Sequence, residues 1–270
     1  MSILETIQKR RSVRTFDGTP LRPEDAQKIL TFAGNVENPY DLPITWKILD
    51  AKRYGLSSPV IVGTDTYIAG KLRRVPHAEE AFGYVFEKVV LFAEELGVGT
   101  TWIAGTMNRA AFEKAMDVSD DECMPCVSPL GYPAGKMSLR ESMMRRGVRA
   151  DSRFDFGDVF FEGSFEKPLT REAAGRLADV FEAVRLAPSA VNRQPWRVVL
   201  CGNNVHFYEK RGKGMADGGW DIQKVDMGIA LSHFELAAAE IGVRAVFTLD
   251  KPDLGGTDDP LYIASFSLEP

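Results

Sequence analysis

Two stretches of the chain are apolar on more than one face. In residues 84–98, Val85, Phe86, Val89, Val90, Phe92, Ala93 and Leu96 cover more than one side of a helix, the pattern of a buried one, and residues 226–243 repeat it. Shorter stretches are apolar on one side only. Ser2 and Glu5 form a capping box ahead of Ile3, Leu4 and Ile7, and the helix they predict ends in arginines. Pro23, Glu24 and Asp25 open a second helix that runs through Ile29, Leu30 and Phe32 and stops at Gly34 and Asn35. Asn108 caps a short helix through Phe112 and Met116, and Thr170 caps one that carries Ala173, Leu177, Val180, Phe181 and Val184 on one side. Apolar or β-branched runs predict strands at residues 46–49, 59–64, 124–132, 197–201, 205–209, 245–249 and 262–268.

The pattern recurs. With Leu96-Gly97-Val98 set on Ile241-Gly242-Val243, an offset of 145 (241 − 96), Gly83 falls on Gly228, Leu91 on Leu236 and Glu95 on Glu240. Trp46 matches Trp196 at an offset of 150 (196 − 46), so PITWKIL stands where QPWRVVL stands. Two tandem units are expected, residues 1–157 and 158–270, in one intertwined body.

Composition narrows the function. A hydrophobic share of 44% in 270 residues supplies a core. No run reaches the roughly 18 apolar residues of a membrane span, and residues 1–11 carry charge where a signal peptide is apolar, so a cytoplasmic, membrane-free protein is expected. A net charge of −5 with interspersed signs argues against a nucleic-acid partner. Cys123 and Cys126 form a CxxC without a second such pair, and they read as small residues at a strand. His233 has no second ligand in register, so no metal site is expected. The loop GVGTTWIAG follows a helix, the reverse of a dinucleotide-binding loop, and RGKGMADGGW, residues 211–220, lacks a phosphate-loop ending and reads as a flexible turn.

Two segments carry the candidate chemistry. RRSVRTFDG places Arg10, Arg11, Ser12 and Arg14 where the first helix must end, as a phosphate requires, although taken alone the arginines also read as a solvated helix end. LAPSAVNRQPWRVVL places Ser189, Asn192 and Gln194 on a Pro-bounded turn, suited to the polar edge of a flat heterocycle. A further five arginines lie between Arg140 and Arg153, most of them read as a solvated face. Phosphate and heterocycle together suggest flavin mononucleotide, FMN.

The pair of motifs resembles the FMN-dependent nitroreductase family, in which RRSxRxF and APSAxNxQPW lie one helix apart. Here the first unit keeps only the first motif and the second unit only the second. Family members are homodimers with flavin at the interface, so the resemblance implies a dimer fused into one polypeptide: a nitroreductase-like α+β fold with an internal pseudo-dimer, monomeric, with one composite FMN site. It assigns the phosphate and pyrimidine edge to Arg10, Arg11, Ser12, Arg14 and Arg153, and further contacts to Pro188, Ser189, Ala190 and Asn192. The segment WIAG, with Ile103, Ala104 and Gly105, stands where a backbone N–H bonds the flavin N5. Ala104 replaces a glutamate often found there, and Asp151 a lysine. The family's excursion between the strand of the PVIVGT type and the buried helix is expected to be reduced to residues 65–82, leaving the flavin more open. The implied activity is an FMN-dependent NAD(P)H oxidoreductase, with NADH or NADPH as donor and a small nitroaromatic or quinone-like acceptor. No side chain is assigned as a catalytic acid or base. The rival readings are a flavin-binding sensor or store without turnover, and a fold that has lost flavin and serves a partner contact.

Overall fold

A computed structural model describes residues 1–212, 216–217, 220–252, 254 and 260–269. It divides into two compact units, residues 9–150 and residues 1–8 with 151–270. Against the expected division at 157/158, the cut falls after Ala150, and residues 1–8 group with the C-terminal half. The helix concerned, α1 (Ile3–Lys9), has the reciprocal capping box read from the sequence: Glu5 N–H donates to Ser2 Oγ at 3.1 Å, and Ser2 N–H to a Glu5 carboxylate oxygen at 2.9 Å. The N–H groups of Ile3 and Leu4, which have no partner within the helix, donate to Glu240 at 2.8 and 3.1 Å.

In the unit of residues 9–150, α2 (Pro23–Asn35) leads to β1 (Thr45–Asp50), which pairs antiparallel with β2 (Thr66–Arg73). The buried helix α3 (Ala78–Glu95) follows, then α4 (Arg109–Ala115), β3 (Glu122–Cys123), β4 (Val127–Leu130) and α5 (Leu139–Gly147). β4 pairs with β2, and residues 99–103 add to β4 through bridges at Gly99–Gly131 and Ile103–Val127. The order is thus first strand, second strand, last strand, and the segment after the long helix. Asn108 caps α4 and Ser138 caps α5 through their side chains, the former as the sequence predicts.

Three readings of this half are corrected. Residues 59–64 form no strand: Pro59 lacks an N–H, Gly63 sits at φ 88°, and pairing is confined to one parallel bridge between Thr15 and Val62. The strand lies later, in β2, whose Gly70 faces Trp46 so closely that a Cβ there would stand 2.4 Å from the indole Cζ3. Trp46 is held against it by Phe82 and Phe86, with ring centroids 5.6 and 5.2 Å away. Residues 65–82 accordingly hold all of β2 and the opening of α3, which begins six residues before the expected 84. The strand expected at 124–132 is limited to β4, with Cys123 on the short β3.

The other unit repeats the scheme. β5 (Phe160–Glu162) is parallel to β6 (Trp196–Cys201), which forms a hairpin with β7 (Asn204–Glu209). The buried helix α7 (Ile222–Glu240) then leads to β8 (Arg244–Thr248) and β9 (Leu261–Glu269), and β9 joins β7 to β8. First, second, last and post-helix strands again stand in that order. The helix expected after Thr170 is interrupted: Thr170 caps a single turn, Arg171–Ala174, Gly175 turns at φ 53°, and α6 (Ala178–Arg185) carries the rest. The two long helices end alike. Val98 N–H donates to Ala93 O and Gly97 N–H to Glu94 O at 2.9 and 3.0 Å, and Val243 N–H to Ala238 O and Gly242 N–H to Ala239 O at the same distances. Both closing glycines are left-handed, at φ 73° and 74°, the conformation that helix termination of this kind demands. Phe207, Phe234 and Phe266 centre this core, with Phe234 5.4 Å from Phe207 and 5.2 Å from Phe266. Of the flexible turn expected at 211–220, residues 213–215 and 218–219 lie outside the described residues, and Ala216–Asp217 pairs antiparallel with Trp220–Asp221. Among the described residues no helix is long and apolar enough to cross a membrane, and no His, Cys, Asp or Glu group suits a metal.

Candidate functional site

The basic segment forms no regular strand but is tied by isolated bridges on both sides, at Ser12–Thr100, Thr15–Val62 and Phe16–Pro133. Val13 N–H donates to Thr100 O at 2.8 Å, Phe16 N–H to Val62 O at 2.9 Å, and Val62 N–H to Arg14 O at 3.0 Å. Val13 and Phe16 are buried, while Ser12 and Arg14 are only partly covered. Thr15 ties the segment to the start of α5, its hydroxyl 3.0 Å from Ser138 Oγ, the oxygen that caps the helix.

The arginines divide into two kinds. Arg10, with a side chain 7% exposed, has its Nε 3.9 Å from an oxygen of Glu87, which is fully buried on α3. The other Glu87 oxygen accepts from Trp102 Nε1 at 3.0 Å, so this one carboxylate ties the basic segment to the WIAG segment. Arg11 pairs with buried Glu141 on α5 at 3.4 Å. Arg14 has no side-chain hydrogen bond or ion pair among the described residues. Burial lowers the pKa of its guanidinium, Glu141 works against that, and Arg145 adds to it. The desolvated guanidinium thus stands between one carboxylate that favours its charge and one cation that disfavours it.

In the WIAG segment Thr101 N–H donates to Ser128 Oγ at 3.0 Å, and Ile103 exchanges both backbone bonds with Val127 at 2.9 Å. Of the three positions marked from the sequence, Ile103 therefore spends its N–H inside the sheet. The N–H groups of Ala104 and Gly105 have no partner among the described residues, and Gly105 is exposed. A Cβ on Gly105 would meet nothing within 4 Å, so no protein neighbour requires the glycine.

The turn after α6 is strained. Val191, Asn192 and Gln194 all have positive φ, at 45°, 58° and 51°, and Val191 is β-branched and 57% exposed. Each such residue costs on the order of 1 kcal/mol, and strain of this sort persists where the surroundings over-determine it. Here they do. Ala190 N–H donates to both oxygens of buried Asp226 at 3.0 and 3.1 Å, Gln194 N–H to Ser189 Oγ at 2.9 Å, and Phe154 N–H to Gln194 Oε1 at 3.0 Å. Asn192 Nδ2 donates to Ser152 O at 3.0 Å, and Arg153 donates to Asn192 Oδ1 and Leu186 O at 3.4 and 3.3 Å. Gln194 and Arg153 thus brace the turn, and Pro188 and Ser189 are half-buried on it. Burial raises the pKa of Asp226 well above the ordinary carboxylate range against the Ala190 N–H, and Asp221 and Glu209 add to the rise.

The sequence reading missed Glu87, Glu141, Arg145 and Asp226, and the signal for two of them was a carboxylate inside an otherwise apolar helix run. Cys123 and Cys126 form no disulfide, Cys123 lies on the short β3 as a residue at a strand, and burial, with Glu79 adding to it, pushes its thiol up to about 11.

A crystal structure from Thermotoga maritima, described as that of a "putative nitroreductase", aligns over 100% of this chain and 95% of its own at TM-score 0.67 and 24% identity, so the two share a fold. A nitroreductase family protein of Clostridium novyi aligns over 50% of this chain and 87% of its own at TM-score 0.43 and 20% identity. An FMN-dependent nitroreductase of Clostridium difficile aligns over 52% of this chain and 94% of its own, at TM-score 0.42 and 17% identity. None of the curated proteins matches the chain. The family model described as "Putative TM nitroreductase" matches residues 2–238, and the chain belongs to that nitroreductase family.

Proposed function

We propose that this protein is an FMN-dependent oxidoreductase that takes reducing equivalents from NADH or NADPH and delivers them to a small organic acceptor of the nitroaromatic or quinone class. The observation that carries the reading is Arg14: a desolvated guanidinium without a partner among the described residues, set in the RRSVR segment of a nitroreductase-family chain. Arg14, with Arg11 and Ser12 beside it, would hold the phosphate. Arg10, tied to Glu87, would act chiefly by fixing the segment. Ala104 and Gly105 offer free N–H groups to N5, and Pro188, Ser189, Ala190 and Asn192 offer the polar turn, braced by Arg153. FMN supplies the hydride chemistry when bound, accepting two electrons and a proton as hydride from the nicotinamide and passing two electrons to the acceptor. The chain's own contribution is placement.

A second reading, flavin binding without efficient turnover, is favoured by one feature: Ala104 stands where the family often has a glutamate. The test is direct. Purified protein is titrated with FMN, the stoichiometry is read from absorbance, and NADH or NADPH is added under anaerobic conditions. One FMN per chain, bleached by either nucleotide and recoloured by a quinone, is the expected result. One FMN that neither nucleotide bleaches would select the second reading, and failure to bind FMN would overturn both.

A further inference from the structure

Arg109 is the first residue of α4, where the helix dipole disfavours a cation, so something other than the helix keeps it there. Its fork is spent on backbone carbonyls. Nη1 donates to Met124 O at 2.7 Å, and Nη2 to Pro125 O and to Ala104 O, both at 3.1 Å, while Glu113 lies 3.5 Å from Nη1. Two of these carbonyls belong to the stretch between β3 and β4. The third belongs to the WIAG segment, next to the one exposed glycine there.

A peptide unit is planar and trans, so its C=O and N–H point in opposite directions. Holding the Ala104 carbonyl therefore fixes the direction of the Gly105 N–H. Ile103, one residue earlier, is locked by two bonds to Val127, so the peptide between Ala104 and Gly105 is gripped on one side by the sheet and on the other by the guanidinium. The Gly105 N–H points away from the guanidinium that holds the Ala104 carbonyl, has no acceptor among the described residues, and belongs to a residue on which a Cβ would meet nothing within 4 Å. We infer that Arg109 is a positioning residue that aims the Gly105 N–H at the flavin N5, an inference that rests on the FMN reading above.

The probe is 5-deaza-FMN, the analogue of FMN with C–H in place of N5, which cannot accept this bond. One hydrogen bond corresponds to a roughly two- to tenfold difference in dissociation constant, so the unaltered protein is expected to prefer FMN by about that factor. Arg109→Met is expected to bring the ratio of the two constants close to one. A general loss of structure would weaken both ligands equally and leave the ratio where it was. Should Arg109→Met fail to fold, by thermal unfolding of the flavin-free form, Arg109→Gln is read in the same way and its ratio must fall below that of the unaltered protein. A preference kept at full size in a folded variant overturns the role of Arg109. Equal affinity for the two ligands in the unaltered protein overturns the Gly105 contact itself, and binding of neither overturns the FMN reading.

Discussion

Arg14→Met separates a ligand-binding arginine from a structural one. Methionine keeps much of the aliphatic volume and removes the charge. A hydrogen bond to a charged group contributes roughly 1.5 to 3 kcal/mol, which is about 10- to 150-fold in the dissociation constant for FMN. Arg11 and Arg145 are near enough to take part of the anion, so the lower end is expected. Riboflavin has no phosphate and should lose little. The flavin-free protein should react in the opposite sense, because the burial of Arg14 outweighs the attraction of Glu141 and Arg145 adds a like charge; its thermal midpoint should stay or rise. Arg11→Met is the contrast. It strips buried Glu141 of its cation, and because Arg11 is itself 35% exposed, the cost is discounted to roughly 1 to 3 kcal/mol, read as a lower midpoint. Titration of both ligands and unfolding of both flavin-free variants decide the matter. Equal losses of FMN and riboflavin in Arg14→Met, with a midpoint that falls as in Arg11→Met, would make Arg14 a structural residue and refute the reasoning.

Other expectations are narrower. Glu209 is fully buried, and desolvation, with Asp221 adding to it and Arg211 and Lys224 opposing, raises its pKa to about 7. The folded protein then holds a proton that the unfolded chain has released, so this stability is present below about pH 4.5 and lost as pH rises through about 7; urea unfolding at pH 5 and pH 8 should differ by up to roughly 3 kcal/mol on this account, and Glu209→Gln should shrink the difference. Asn192→Ala should weaken FMN binding by about two- to tenfold while Asn35→Ala, at the exposed end of α2, leaves it unchanged; fluorescence titration showing the reverse would place a flavin site in the unit of residues 9–150 alone. Gly70→Ala should cost about 1 to 3 kcal/mol in chemical unfolding, since the new methyl would lie 2.4 Å from the Trp46 ring and Phe82 and Phe86 block its retreat; an unchanged midpoint would mean that the β1–β2 pair yields more easily than its packing implies.

How much of this was legible depended on whether the determining contact is local. Helix starts were readable because the capping side chain lies within three residues of its partner, as at Ser2, Asn108 and Thr170. The repeat was readable because two helices end on the same glycine device. β2 was not, since TYIAGKLR carries small residues at its centre, and Gly70 makes sense only once Trp46 lies across it. PVIVGT looked like a strand by composition, yet Val62 is 52% exposed and pairs at a single bridge. The basic segment was legible as a set of arginines, not as a division of labour. Which of them is paired is settled by carboxylates at positions 87 and 141, and nothing in RRSVR itself announces those.

The carboxylates that organise the motif segments extend the comparison between the two units. Glu87 on α3 holds Arg10 and Trp102; at the offset of 145 that superposes the helix ends, its counterpart on α7 is Ser232. Asp226 on α7 holds the Ala190 N–H, and its counterpart on α3 is Ala81. Each long helix therefore carries a buried acid where the other carries a small residue, and each acid serves the motif that its own unit retains. A buried carboxylate without its partner is costly, so an acid of this kind has no reason to stand in a unit that lacks the group it satisfies. The basic segment and the strained turn are thus each present together with the buried acid that fixes it, and the unit without the segment lacks the acid as well. The complementarity seen in the motifs extends one layer inward, to residues that no ligand would touch.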